Sequence, residues 1–254
     1  MSRLIAMIPS GISPLDERLG GVAPGRTHLL TGALGTGKTS AALHFLDVAL
    51  RDGDRVALVT HDRASDLRTL AEYLAIDIDA PLRQGRLQVF RLRPEFPRRY
   101  AHAPSPESVL ADLRKMIGGF PLARIAIDPI DAFLGDRGSV TAGGAALASF
   151  LESLGATALL TCGAEPGVDR RLDPVVRSAA AVVQLEKGHA NVSYLGVVRA
   201  RFSDIPSAPL AFRIRRGVGI ERYDGPRDDA HGGARDRQTG RSQSAKHSIA
   251  ASQP

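Results

Sequence analysis

Cysteine is almost missing from this chain: Cys162 is the single one in 254 residues. An internal disulfide is therefore excluded, and the usage fits a reducing cytosol. His61 has no second histidine or cysteine at ligand spacing, so a metal centre built on such residues has no support. Long apolar runs are missing too. No uncharged apolar stretch approaches the roughly 20 residues that span a bilayer, and the N-terminal MSRLIAMIPSGISPLDER has too short an apolar run for a secretory signal. The expectation is a soluble cytoplasmic protein without membrane association. Internal repeats are also lacking, which leaves one domain plus a tail.

What is present suits a folded α/β protein. Hydrophobic residues make up 43% of the chain, ample for a core. Lys plus Arg number 33 against 27 Asp plus Glu, a formal charge of +6. Residues 224–254 contribute only +1 of this, from five basic and four acidic side chains. The remainder is itself basic, which favours polyanions such as nucleotides or nucleic acid without choosing between them. Residues 224–254 are Gly, Ser, Asp, Arg and Gln with almost no large apolar side chain, so burial cannot offset the entropy of ordering. A disordered tail is expected there, after a domain over residues 1–223.

The lead-in at residues 8–25 has proline or glycine at seven positions around an amphipathic turn, Leu15 and Leu19. Beyond it, strand and helix patterns alternate. Strands are expected at Thr27–Thr31, Arg55–Thr60, Leu87–Leu92, Arg124–Asp128 and Thr157–Thr161. Helices are expected after residue 39 (Ala41, Ala42, Phe45, Leu46, Ala49), at Ser65–Ala75, at Glu107–Ile117 opened by Ser105 or Pro106, and at Gly144–Leu154. Such alternation predicts βαβ units and a mainly parallel central sheet flanked by helices. After Arg177, the runs AAAVVQLE, VSYLGVVRA and PLAFRIRR suggest an antiparallel C-terminal extension.

The first strand runs into GALGTGKT, Gly32 to Thr39, which fits G-x-x-x-x-G-K-[ST] without a gap. Strand, glycine-rich loop and helix in that order make a phosphate cradle. Gly32, Gly35 and Gly37 permit a tight loop whose amides, with those of Ala33, Leu34 and Thr36, converge on phosphate oxygens at a helix N-terminus. Lys38 would reach the β and γ phosphates, the Thr39 hydroxyl would ligate Mg²⁺, and Ser40 continues the site into the helix. Asp128 ends an apolar strand about ninety residues later, as expected of a Walker B acid that holds Mg²⁺ through its waters. In a sheet of this kind ligands gather at the carboxyl ends of the strands, where Gly32, Asp62, Asp128 and Thr161 all fall.

The stretch SGISPLDERLGGVAPGRTHLLTGALGTGKT, with VALVTHD, RIAIDPIDAFL, GATALLT and the late VRAR, resembles the KaiC branch of the RecA-type ATPases over residues 8–222. That family includes RadA-like recombinases. The resemblance implies a RecA-like P-loop NTPase core, ATP with Mg²⁺, and a homo-oligomer, hexameric ring or filament, with nucleotide held between subunits. It leaves room for a further protein partner. Thr161 resembles the polar residue that senses the γ-phosphate.

The sequence departs from the family where water is activated. A pair of glutamates follows the second strand in KaiC-type proteins, whereas this chain has Asp62 and Arg63. Asp62 is one methylene shorter, and rates are sensitive to displacements of about 1 Å, so slow hydrolysis is expected. Asp62 acts either as the base or only as a cap for the helix near Ser65. Arg199 and Arg201 flank Ala200 and by period two share a side. They resemble a basic-x-basic element that reaches a neighbouring subunit's γ-phosphate, as arginine fingers do; the alternative is a solvated edge strand. Two arginine-rich stretches keep a DNA-binding reading open. One is Arg91 to His102, where Arg91, Arg93, Arg98 and Arg99 interleave with Phe96, Tyr100 and His102. The other holds Glu165, Asp169, Arg170, Arg171 and Arg177. A third class of function is an ATP-binding signalling scaffold with little turnover.

Overall fold

In the computed structural model the described residues are 5–93, 95–96, 102–103, 105–119, 121–134, 142–163, 167–205 and 208–225. Three expectations reach beyond them. Arg98, Arg99 and Tyr100 of the first arginine-rich stretch, Glu165 of the second, and the tail from residue 226 lie outside the described residues.

Alternation in the sequence becomes alternation in space. The chain forms α1 (Ser13–Leu19), β1 (Thr27–Gly32), α2 (Lys38–Arg51), β2 (Val56–Thr60), α3 (Ala64–Tyr73), α4 (Asp79–Arg83) and β3 (Leu87–Arg91). It continues through α5 (Pro106–Ile117), β4 (Arg124–Asp128), α6 (Ala142–Leu154), β5 (Thr157–Cys162), α7 (Asp173–Ser178), β6 (Ala181–Lys187), β7 (Val192–Ala200), β8 (Leu210–Arg215) and β9 (Gly219–Arg222). Local chemistry accounts for the ends. Ser105 caps α5, its side chain accepting the Ser108 N–H, with Pro106 in the first turn.

Among the described residues the strands form one nine-stranded sheet in the order β3-β2-β4-β5-β1-β6-β7-β8-β9. Strands β3, β2, β4, β5, β1 and β6 are parallel to their neighbours. The antiparallel part starts at the β6–β7 pair. The expectation that AAAVVQLE belongs to the antiparallel extension therefore needs adjustment: β6 pairs with β1 in parallel, with Gly32 opposite Leu185. Connection length explains this, because α7 lies between β5 and β6 and supplies the crossover that a parallel return needs.

Both faces of the sheet are covered. Leu30, Leu58, Ala126, Leu159, Val183 and Leu185 pack with Leu15, Phe45, Leu46 and Leu67 on the face of α1, α2 and α3. Their strand neighbours Leu29, Ala57, Val59, Ile127, Leu160 and Val182 pack with Leu113, Leu147, Phe150 and Val175 on the face of α5, α6 and α7. Period-two alternation in each strand thus decides which layer a side chain meets.

Two buried polar side chains tie the lead-in to this frame. His28 of β1 is 3% exposed, and its Nε2 accepts the Ala23 N–H at 3.0 Å. Arg124 of β4 donates from Nη1 to the Phe45 carbonyl at 2.8 Å and from Nη2 to the Pro9 carbonyl at 2.6 Å. Its guanidinium also lies 4.8 Å from the Phe45 ring centroid.

Candidate nucleotide site

The same alternation gathers the polar strand ends. Gly32 shares a face with Leu30, Thr60 with Leu58, Asp128 with Ala126 and Thr161 with Leu159, and these four apolar residues all pack toward α2. Four adjacent parallel strands therefore present their carboxyl-terminal polar groups on the side where α2 begins. At this edge the Thr161 hydroxyl donates to Asp128 Oδ1, and Thr60 lies beside Asp128 in register.

The loop between β1 and α2 requires glycine at its two ends. Gly32 has φ 151°, and a Cβ there would meet the Leu185 carbonyl oxygen at 2.4 Å. Gly37, the residue before α2, has φ 98°, and a Cβ would meet Ile214 Cδ1 at 2.4 Å. A side chain would be strained at either place by the backbone itself. Thr36 is fully buried and its hydroxyl donates to the Ala33 carbonyl at 2.9 Å, bracing the loop. Ala33 and Gly35 are exposed, Leu34 is 93% exposed, Thr39 is half-buried and Ser40 is buried in the first turn of α2.

Lys38 folds back over this loop. Its Nζ donates to the Gly32 carbonyl at 2.7 Å and to the Ala33 carbonyl at 2.8 Å. Burial pushes the ammonium below its ordinary pKa, an effect that the Asp128 carboxylate opposes. A cation short of solvent and beside glycine amides is the arrangement that an anion relieves. The buried Asp128 carboxylate and the Thr39 hydroxyl supply hard oxygen donors of the kind Mg²⁺ takes alongside phosphate, so the residues fit that ion.

Asp62 sits just past β2. Its own N–H donates to Thr60 Oγ1 at 3.1 Å, while α3 starts at Ala64 after Arg63 without a side-chain cap. The alternative in which Asp62 only caps that helix is therefore not what the backbone does. Burial raises the Asp62 carboxyl above its ordinary value, and the Asp128 and Asp66 carboxylates add to this. Among the described residues no ion pair joins Asp62 to Arg63.

Arg199 and Arg201 lie elsewhere. In the β6–β7 ladder Val183 pairs with Val197 but Val182 pairs with Arg199, leaving Val198 as an extra residue. This bulge turns Arg199 from the α2 face to the α7 face. There Arg199 Nη1 donates to the carbonyls of Val176 and Arg177. Arg201 donates from Nε to the Ala179 carbonyl at 3.2 Å and from Nη2 to that of Arg177. Ala200 pairs with Ala181, and Ala181 with His28, so the two arginines stand at the edge of the sheet opposite to their own loop.

In the second arginine-rich stretch, Arg171 is bound by Asp169, Nε to Oδ1 at 2.9 Å and Nη2 to Oδ2 at 2.5 Å. It is thereby engaged locally. Cys162 packs in the apolar cluster, and its thiol also points to Asp131 Oδ1 at 3.7 Å.

One residue at this edge escapes sequence reasoning. Lys187 ends β6, and its Nζ lies 3.5 Å from where a Cβ on Gly35 would stand. A spacing rule could not find it, because the contact depends on β6 running parallel beside β1.

Comparison with known proteins follows the same lines. A family profile described as the KaiC ATPase matches residues 8–226. The circadian clock oscillator protein KaiC of Prochlorococcus marinus (strain MIT 9313) is 34% identical over 128 residues, 49% of this chain and 24% of that protein. The KaiC of Acaryochloris marina (strain MBIC 11017) is 32% identical over 129 residues, 50% of this chain and 23% of that protein. The matched stretches thus span about a quarter of the length of these relatives. A crystal structure of a KaiC-like protein from the archaeon Pyrococcus horikoshii OT3 superposes with a TM-score of 0.71 at 24% identity, covering 86% of this chain and 99% of that one.

Proposed function

The chain belongs to the KaiC family of ATPases, and from that premise we propose that it binds Mg·ATP at Gly32–Thr39 and hydrolyses it slowly between the subunits of a homo-oligomer. The observation that carries this reading is the convergence of the glycine loop, the desolvated Lys38 and the hydrogen-bonded Asp128–Thr161 pair on one face at one sheet edge. The domain is assigned to residues 1–223, with 224–254 as its tail.

Each group has a role that its chemistry allows. The amides from Gly32 to Ser40 hold the phosphates, and Lys38 exchanges two carbonyl acceptors for phosphate oxygens. Thr39 and Asp128 would hold Mg²⁺, which neutralises charge on the transferring phosphoryl group when bound. Thr161 fixes the Asp128 carboxylate and is assigned the sensing of the γ-phosphate. Asp62 orients water from the next strand end. Arg199 and Arg201 are assigned to the loop of a neighbouring subunit, and reaching it would replace the carbonyls at the end of α7 by phosphate oxygens.

Lys38→Ala tests the reading directly. The variant is expected to lose Mg·ATP affinity by about a hundredfold and to release no phosphate above background. Normal affinity and turnover in this variant would end the proposal. A second reading, an ATP-binding scaffold with little turnover, is favoured by Asp62 and Arg63 standing where the family has two glutamates. Tight Mg·ATP binding with no phosphate release, unchanged by Asp62→Asn, would select it.

A further inference from the structure

The charge that the loop lacks in its own strands stands on the strand beside them. Alternation along β6 places Val183 and Leu185 on the α2 face, and Lys187 follows two residues later on the same face. Because Gly32 pairs with Leu185, Lys187 reaches past the end of the ladder to the level of the loop. Its Nζ is 3.5 Å from the position of a Cβ on Gly35, so the ammonium overhangs the middle of the glycine loop. Among the described residues the Lys187 ammonium forms no hydrogen bond or ion pair, while the neighbouring Glu186 is turned to the other face and accepts from Gln184. An unneutralised cation is thus held against a row of amide donors, which carry partial positive charge themselves.

We infer that Lys187 is a phosphate-contacting residue of this chain's own site, a second ammonium that grips the nucleotide's phosphates from the β6 side opposite Lys38. This rests on the nucleotide reading given above and adds a residue to it. The physical reason is charge. The two basic groups best suited to stabilise the phosphates from strand β7, Arg199 and Arg201, are turned by the Val198 bulge to the other face and occupied by α7 carbonyls. Lys187 needs no rearrangement of the backbone to meet an anion on the loop. Its four-carbon stem lets the ammonium follow phosphate oxygens through rotamer changes alone.

The test is equilibrium binding of Mg·ATP and Mg·ADP to the full chain carrying Lys187→Ala, Lys187→Arg, Lys187→Glu, Glu186→Gln or Lys38→Ala. Loss of one charge-assisted contact is expected to weaken Mg·ATP about tenfold in Lys187→Ala. Lys187→Arg should stay within about threefold of the parent, Lys187→Glu should be the weakest of the Lys187 series, and Glu186→Gln should bind as the parent does. The dependence of log Kd on log salt should also become shallower by about one charge in Lys187→Ala. The side chain is exposed, so the nucleotide-free variants should melt with the parent. Lys187→Ala binding within twofold of the parent while Lys38→Ala is crippled would overturn this inference alone. Absence of adenine nucleotide binding in the parent would overturn it together with the nucleotide reading.

Discussion

Lowering the pH should loosen this fold through His28, and the size of the effect can be worked out. The ring is 3% exposed in β1, and burial lowers its pKa from the ordinary 6.5 to about 4. Between those values the unfolded chain takes up a proton that the folded chain refuses. Stability therefore falls as pH drops through this window and levels off below about 4. One proton over about 2.5 pH units, at about 1.36 kcal/mol per unit, gives a loss of about 3 kcal/mol. That is a large share of the roughly 5–15 kcal/mol that holds a typical domain together. The assay is urea unfolding at half-unit steps from pH 7 to pH 4, for the parent and for His28→Gln. Glutamine can still accept the Ala23 N–H but does not titrate, so subtraction removes carboxylates and the other histidines. The parent should lose about 3 kcal/mol more than the variant across the window. Parallel curves for the two proteins, or a His28 resonance titrating near 6.5, would refute the reasoning.

Asp62 is shifted the other way, upward, yet acid again acts against it. Its carboxyl is raised and must be ionised to orient water, so turnover should fall as pH drops through a value above the ordinary aspartate range. In a kcat–pH profile that acidic limb should vanish with Asp62→Asn. Asp62→Glu restores the missing methylene and is expected to raise phosphate release by about ten- to a hundredfold. Replacing Arg124 by Met keeps the volume but strips the Phe45 and Pro9 carbonyls of their partner. A loss of about 3 kcal/mol in urea unfolding is expected, and an unchanged midpoint would show that the guanidinium is not holding the lead-in.

Much of this architecture could be read along the chain, for reasons that particular segments make plain. Arg124–Asp128 appears in the structure with the bounds expected, because a short branched apolar run closed by a carboxylate has few other fates. The helix at Pro106–Ile117 announced itself through Ser105 and Pro106. Strand β9, Gly219–Arg222, did not, since Ile220 is its sole large apolar side chain and pairing with β8 rather than its own pattern makes it a strand. Helix α4 is five residues long and carries no periodicity to detect.

At the site, the loop, Lys38, Asp128 and Thr161 were legible because strand ends follow from strand limits. The place of Lys187 was not, since it depends on which strand lies beside β1. The orientation of Arg199 and Arg201 was half legible. Their common side follows from period two, but the face they share depends on one unpaired residue, Val198, that spacing does not mark.

That unpaired residue makes the aim of two guanidinium groups a matter of counting rather than of side-chain identity. Were the ladder regular past Val197, Val198 would stand opposite Val182 and Arg199 opposite Ala181, and the same pair of arginines would lie on the other side of the sheet with no side chain changed. Where the strand takes up its extra residue thus decides which layer the guanidinium groups meet, a property that a table of substitutions would never display.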